Sequence, residues 1–433
     1  MMACESALEQ KLVTYVDEHR DRLIGIVRDL VHIPSENMPP AGSERSCQEY
    51  AARQLRDAGW EPVLYELDQV PGLLEHPLFW KGRDYRGRPN LGARRPGSGG
   101  GRSLVLSGHI DTVPCGSEPW TRDPFGGEVD GNRLYGRGSN DMKGGVGTNL
   151  FIAEAVSRLG LRLKGDLVYE SVVDEEFGGV NGTLAGRVMG FNADAAVISE
   201  PSFLRICPAQ RGGRTAHITF SAKAALLSET AAPASVIDQV THFLVEVRRF
   251  AEQRRKNAQP HEMYTGPDPV PVLITKLFTS PWGTQEPITI PEVCRVEMYW
   301  QLTPGEKQED VEREFFEWLN GVVAGAPQLF SVKPQVEFPI RWLPGSSILR
   351  SEPLVAELAA AAKSVLGQEP PIHGIEGPCD MYIFHQAFGI PAVLWGARGA
   401  NTHGADEYVE VDSLIAAAKA LLVFVCRWCG VAA

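Results

Sequence analysis

The chain has 433 residues, 43% hydrophobic and 22% charged, which excludes the disordered, collagen-like and disulfide-scaffold classes and allows two hydrophobic cores. A formal net charge of −12 excludes a general nucleic-acid or anionic-membrane binder, because either needs a basic face to displace counterions. The eight cysteines lack framework spacing, Met1 to Glu9 lacks the basic-then-apolar pattern of a signal peptide, and no apolar run approaches membrane length, so free thiols and a cytosolic location are expected.

In chain order, Glu5 to Val31 carries Leu12, Val16, Leu23, Ile26, Val27 and Leu30 at helical spacing and predicts one opening helix, stopped at Ile33-Pro34-Ser35. A second amphipathic helix follows over Ser46 to Ala58, then an alternating strand over Glu61 to Leu67. Val70 to Gly101 is rich in Pro, Gly and Arg without a sustained period and reads as an irregular insertion or exposed loop. Ser103 to Ser107 is an apolar strand running into a polar turn, the pattern of a buried strand ending at a site. A helix over Gly145 to Leu159, a strand over Asp166 to Val173, a short helix over Gly182 to Val188 and a strand over Ala195 to Ile198 continue the alternation. Strands alternating with helices predict an α/β fold, a mostly parallel sheet covered by helices.

Near Arg211 the texture changes. A strand (His217 to Phe220), a long helix (Ala234 to Arg254), strands over Val270 to Phe278 and Cys294 to Leu302, a helix over Gln308 to Val323 and a strand over Gln335 to Ile340 predict an inserted α+β ferredoxin-like domain. After Pro344 the alternation resumes with Pro353 to Leu366, Ile390 to Trp395 and a closing helix over Asp412 to Trp428. The expected organisation is a catalytic domain in two parts, residues 1–208 and 344–433, around an insert at 209–343. Cys426 and Cys429 form a lone CxxC on the closing helix, which reads as core and not as a metal or redox site.

Five clusters carry chemistry. His109 and Asp111 follow the strand ending at Ser107; a neutral imidazole suits zinc, and a ligating His needs a carboxylate or carbonyl to orient it, yet HxD alone fits a structural His equally well. Asp141 follows the glycine-dense Gly136-Arg137-Gly138 and precedes a helix, where it is either an N-cap or a carboxylate able to bridge two cations. Asp174-Glu175-Glu176 and Ser199-Glu200-Pro201 each sit at a strand end, where ligand sites of α/β sheets gather. His403 lies in Asn401 to Tyr408 near the C-terminus. As a set they supply two His and three carboxylates to one place.

The segments His109 to Pro114, Trp120 with Asp123-Pro124-Phe125, Gly136 to Gly145, Asp174-Glu175-Glu176, Ser199-Glu200-Pro201 and His403 to Glu407 resemble, in order, the co-catalytic zinc family of acetylornithine deacetylase, succinyl-diaminopimelate desuccinylase, aminoacylase-1 and glutamate carboxypeptidase. The resemblance implies a zinc-peptidase-like catalytic domain with a lid or dimerisation insert and two divalent ions, zinc first, with cobalt or manganese as substitutes. It implies that Asp141 bridges the metals, His109 and Glu200 complete one, Glu176 and His403 complete the other, Asp111 orients His109, and Glu175 is the general base. It further implies an amide-hydrolysing enzyme for a small carboxylate-bearing N-acyl amino acid or dipeptide-like substrate, and a homodimer through the lid.

The chain departs from that pattern in the insert. The lid motif Gly-Lys-Ala-Ala-His of amide-hydrolysing relatives corresponds to Ala222-Lys223-Ala224-Ala225-Leu226-Leu227, so Leu226 replaces the oxyanion-stabilising His. The following Asn is replaced near Ser235-Val236-Ile237, and the usual Asp-x-Arg reads Tyr299-Trp300-Gln301. Losing one oxyanion donor costs about a hundred- to a thousandfold in rate. Candidates to compensate are His217, His242, His373 and Arg398, the last placed to meet a substrate carboxylate. The alternative reading is a di-metal enzyme with non-hydrolytic chemistry: amide formation, elimination or decarboxylation.

Overall fold

The computed structural model describes residues 2–222, 234–279 and 291–432, and they divide into two units: residues 1–209, 347–375 and 379–433, and residues 210–346 with 376–378. In the first unit, helices α1 (Met2–Glu18), α2 (Arg20–His32) and α3 (Arg45–Asp57) precede strands β1 (Val63–Glu66), β2 (Pro89–Arg95) and β3 (Leu104–Ser107). Helix α4 (Gly144–Arg158), strand β4 (Leu167–Ser171), helix α5 (Asn181–Val188) and strand β5 (Ala195–Ile198) follow. The unit is completed by α6 (Pro353–Leu366), β6 (Ala392–Leu394) and α7 (Val411–Cys429).

The six strands form one sheet in the order β6-β5-β3-β4-β2-β1. The pairs β6/β5, β5/β3 and β3/β4 are parallel, while β4/β2 and β2/β1 are antiparallel. Strands β3, β4 and β5 are buried along their whole length, as the apolar runs in the sequence require of strands covered on both faces. Helix α7 is apolar nearly all round and buried, packing against α6 and α1. Its Cys426 and Cys429 are free, buried thiols, both pushed up to about 12 by burial. Among the described residues no helix is long and apolar enough to cross a membrane.

Two sequence expectations are corrected. The single opening helix is two, parted at His19, whose backbone leaves the helical region (φ −114°, ψ 21°) while its imidazole folds back on the Tyr15 carbonyl at 2.8 Å. Residues 70–101 are not wholly irregular, because Pro89–Arg95 is a buried strand of the central sheet. Leu91 and Ala93 face a core, but Pro, Gly and Arg interrupt their alternation, and Gly92 is required where the Phe191 ring lies 2.4 Å from the position of a Cβ.

The second unit runs strand, helix, strand, strand, helix, strand: Gly212–Ser221, Val236–Asn257, Val272–Phe278, Val293–Leu302, Gln308–Gly325 and Gln335–Glu337. Its antiparallel sheet orders these strands second, third, first, fourth, the ferredoxin-like arrangement. Its core is aromatic, with Phe220, Phe243, Phe250, Trp300 and Phe315 buried between sheet and helices. Ser235 caps the first of those helices, accepting from the Asp238 amide at 3.1 Å in a capping box.

Candidate metal centre

Three adjacent parallel strands deliver the first residues. His109 lies two residues past β3 and pairs with Val172 just beyond β4, so the acids of Asp174-Glu175-Glu176 leave the sheet beside it. On the other side of β3, the Ser199 amide bonds to the Ser107 carbonyl at 3.1 Å, which sets Glu200 against His109. The His109 Nε2 atom lies 3.1 Å from Asp141 Oδ1, 3.5 Å from Glu200 Oε1 and 4.0 Å from Glu175 Oε2. The other oxygen of Asp141, Oδ2, is 3.4 Å from His403 Nε2, which is 2.9 Å from Glu176 Oε2. His109, Asp141 and Glu176 form a group able to hold a metal ion.

Asp141 does not cap α4; it leaves the helical region (φ −120°, ψ 99°) in the turn Ser139–Lys143. Gly145 lets the start of α4 approach β5, since a Cβ there would meet the Ser199 carbonyl oxygen at 1.9 Å. The turn is tied to the loop of His403 by Glu407, whose carboxylate accepts the amides of Gly138, Asn140 and Asp141, each at 3.0 Å, and pairs with Arg137 at 2.6 Å. Arg137 also reaches the His403 carbonyl at 3.3 Å. A small sheet supports the junction, with Tyr408 paired to Tyr135.

Asp111 contacts His109, the partner expected of it, and also the backbone of Glu175 and Glu176, by different atoms. Its main-chain carbonyl bonds to His109 Nδ1 at 2.9 Å, with a carboxylate oxygen 3.7 Å from that nitrogen. The carboxylate accepts the amides of Glu175 at 3.0 Å and Glu176 at 3.1 Å, so the same residue fixes the imidazole and the backbone of the two acids.

Residues 105–427 match the Peptidase family M20/M25/M40. The chain belongs to that family. An N-formyl-4-amino-5-aminomethyl-2-methylpyrimidine deformylase of Halalkalibacterium halodurans is 26% identical over 97% of both chains. A succinyl-diaminopimelate desuccinylase of Cereibacter sphaeroides is 29% identical over 79% of this chain and 89% of that one. The fold is shared with human carnosine dipeptidase 1, at a TM-score of 0.75 and 16% identity over 98% of this chain and 99% of that one. The M20 chain is thus a metal-dependent amidohydrolase.

The donor set of this M20 member fits cations. Burial raises Glu175 and Glu200 well above the ordinary carboxylate range, with neighbouring acids adding to the rise and His109 opposing it. Burial and Asp141 push Glu176 up to about 7, against the pull of His403, and Glu176 Oε1 is buried without a hydrogen-bond partner. Hydrogen bonds to Asp141 and Glu176 push His403 up to about 11. Burial lowers the affinity of His109 for a proton, but Glu200, Asp141, Glu175 and Asp111 together outweigh it and raise its pKa. Four carboxylates crowd two imidazoles, and hard oxygen with imidazole nitrogen is a donor set for zinc, manganese or cobalt.

Asp380 was not among the sequence candidates. It is buried, bonds to Thr183 Oγ1 through one oxygen, leaves Oδ1 without a hydrogen-bond partner, and adds its charge to that felt by Glu175 and Glu200. Only its position after Gly377-Pro378-Cys379, a break before an apolar run, marks it in the sequence. The other candidates are occupied elsewhere: His217 with Glu297 at 2.8 Å, His242 against the Phe330 ring, and His373 with the Gly374 carbonyl at 2.7 Å. Arg398 is exposed and donates to the Phe203 carbonyl at 3.4 Å. Leu226, with residues 223–233, lies outside the described residues.

Proposed function

We propose that this chain hydrolyses the amide bond of a small N-acyl compound, with one divalent ion held by His109, Asp141 and Glu200, a second by Asp141, Glu176 and His403, and Glu175 as general base. The observation that carries the reading is the divided carboxylate of Asp141, one oxygen toward each imidazole, each imidazole with its own glutamate. When bound, two such cations acidify a shared water and stabilise negative charge on the substrate oxygen.

Glu175 takes the proton from the attacking water and returns it to the leaving nitrogen, and its burial favours accepting that proton. Asp111 holds the direction of Glu175 through the backbone amide. Arg398 is assigned to a substrate carboxylate, residues 209–343 to a lid that joins two copies, and the enzyme to the cytosol. The N-acyl class is supported by the two relatives whose names describe removal of a formyl and a succinyl group.

Elemental analysis of loaded protein is expected to give two ions per chain, and a screen of N-formyl, N-acetyl and N-succinyl amines with zinc, manganese and cobalt is expected to find turnover. A fully loaded chain with one ion overturns the paired centre. Because Leu226 stands where relatives carry His, N-acetyl amino acids are expected to be poor substrates, and Leu226→His to improve them. Conversion without uptake of oxygen from labelled water would instead support the non-hydrolytic reading.

A further inference from the structure

Residues 78–88, between β1 and β2, contribute nothing to the cluster of His109, Asp141, Glu176, Glu200 and His403, yet they reach the turn from which Glu175 and Glu176 project. That turn starts at Asp174, which is fully buried with φ +64°, a left-handed conformation that Asp tolerates better than most L-residues but that its buried carboxylate keeps in one place only with partners. The surroundings are side chains. Tyr85 Oη donates to Asp174 Oδ2 at 2.5 Å, Asn37 Nδ2 donates to Oδ1 at 3.1 Å, and Arg83 Nε lies 3.4 Å from Oδ1. The turn closes above them, with the Gly178 amide on the Glu175 carbonyl at 2.8 Å and the Val180 amide on the Asp174 carbonyl at 2.9 Å.

The segment is itself fastened to the scaffold. Asn181, at the start of α5, exchanges bonds with the Trp80 backbone at 2.9 and 2.7 Å and donates to Tyr85 Oη at 2.8 Å. The Asp84 amide bonds to the Pro40 carbonyl at 2.8 Å, and the Arg88 guanidinium grips buried Glu44 through two nitrogens. The Arg83 guanidinium lies over Trp80 and Phe177, with centroids 5.1 and 6.0 Å away, and reaches the Phe177 carbonyl at 3.4 Å.

We propose that Tyr85 is a positioning residue for Glu175: with Arg83 it holds the Asp174 carboxylate, and so fixes the left-handed turn that presents the Glu175 and Glu176 amides to Asp111. The inference rests on the reading of Glu175 as general base. Tyr85→Phe keeps the ring and removes both hydrogen bonds of the hydroxyl, to Asp174 and from Asn181. Asp174 then relaxes, and the amides of Glu175 and Glu176 lose their alignment on Asp111.

Two measurements on the full chain test this. Amide hydrogen exchange needs no substrate: in Tyr85→Phe, residues 174–180 are expected to exchange about tenfold faster or more, with β3 and α4 unchanged. In turnover of the zinc-loaded protein, kcat is expected to fall roughly tenfold to a hundredfold with KM and metal content held, since small misplacements of a reacting group cost that much. Arg83→Lys, which keeps the charge, is expected to show both effects in smaller measure and serves if Tyr85→Phe folds poorly. Unchanged exchange at 174–180, or a kcat within twofold of wild type, overturns the inference, as does a loss of activity in proportion to lost metal. Glu175→Gln is measured alongside. If it is inactive while Tyr85→Phe behaves as wild type, only the positioning role fails; if it is active, the general-base reading fails and takes this inference with it.

Discussion

Asp111 stands between two buried polar clusters that balance their charge in different ways. On one side, Glu44 and Asp174 face Arg88, Arg83, Tyr85 and Asn37, and the guanidinium groups of the chain itself answer the carboxylates. On the other, Asp141, Glu175, Glu176 and Glu200 crowd around His109 and His403, Asp380 adds its charge to that on Glu175 and Glu200, and acids are in excess. Asn37 joins them, donating to Asp111 at 2.9 Å as well as to Asp174. Buried charge must be paired, so the first cluster is finished scaffold, whereas the second is completed by positive charge from outside the chain.

The sharpest way to break this contrast is to change one acid on each side of its division of labour. Glu175→Gln should lower kcat by about two to four powers of ten with metal content intact, because Gln keeps the shape and cannot take a proton. Glu176→Gln should lower metal content instead, read by elemental analysis after dialysis. The reverse pattern would show that the neighbouring acids have been assigned to the wrong tasks.

In the self-balanced cluster, Arg88→Leu should strand Glu44 and cost about 3–5 kcal/mol in a urea titration, while the folded protein still loads metal. Loss of metal without loss of stability would mean that the two clusters are one.

Proton release offers a smaller, graded test. Without metal His403 holds its proton up to about pH 11 and Glu176 up to about 7, and both must be deprotonated to bind a cation. Apparent affinity should therefore fall as pH falls, by about tenfold per unit or more between pH 7 and 9, since His109 and Glu200 are also raised, and more steeply below 7, in competition with a chelator. A pH-independent affinity would contradict the acid-rich account. Smallest of all, Arg398→Ala should raise KM by about a few-fold with kcat unchanged, because an exposed charge contributes uniform binding.

How much of this was legible in the sequence follows from how local each signal is. The strands β3, β4 and β5 announce themselves as apolar runs, and the residues at their ends are a His or an acid next to a turn. β2 was hidden because Pro89, Gly92 and the two arginines Arg94 and Arg95 mask a strand whose pattern only the packing of Phe191 and β4 explains. Glu407 was visible as part of a motif but not as the acceptor of three amides some 270 residues earlier, since nothing in spacing encodes a contact of that range. Tyr85 and Asp380 carry no periodic or motif signal of their own, and their significance lies wholly in what the fold sets beside them.

The fastening of the Asp141 turn by Glu407 also has a meaning for the order of synthesis. Glu200 and every earlier member of the cluster leave the ribosome about two hundred residues before His403 and Glu407, a gap of roughly 10–40 s at ordinary elongation rates. Through that interval the nascent chain carries Asp141 without the carboxylate that gathers its amides, and β5 without its β6 neighbour. A chain that stops before His403 is therefore left with an Asp141 turn that Glu407 does not fasten and with one imidazole of the two, so the segment from His403 to Glu407 decides whether the centre is completed.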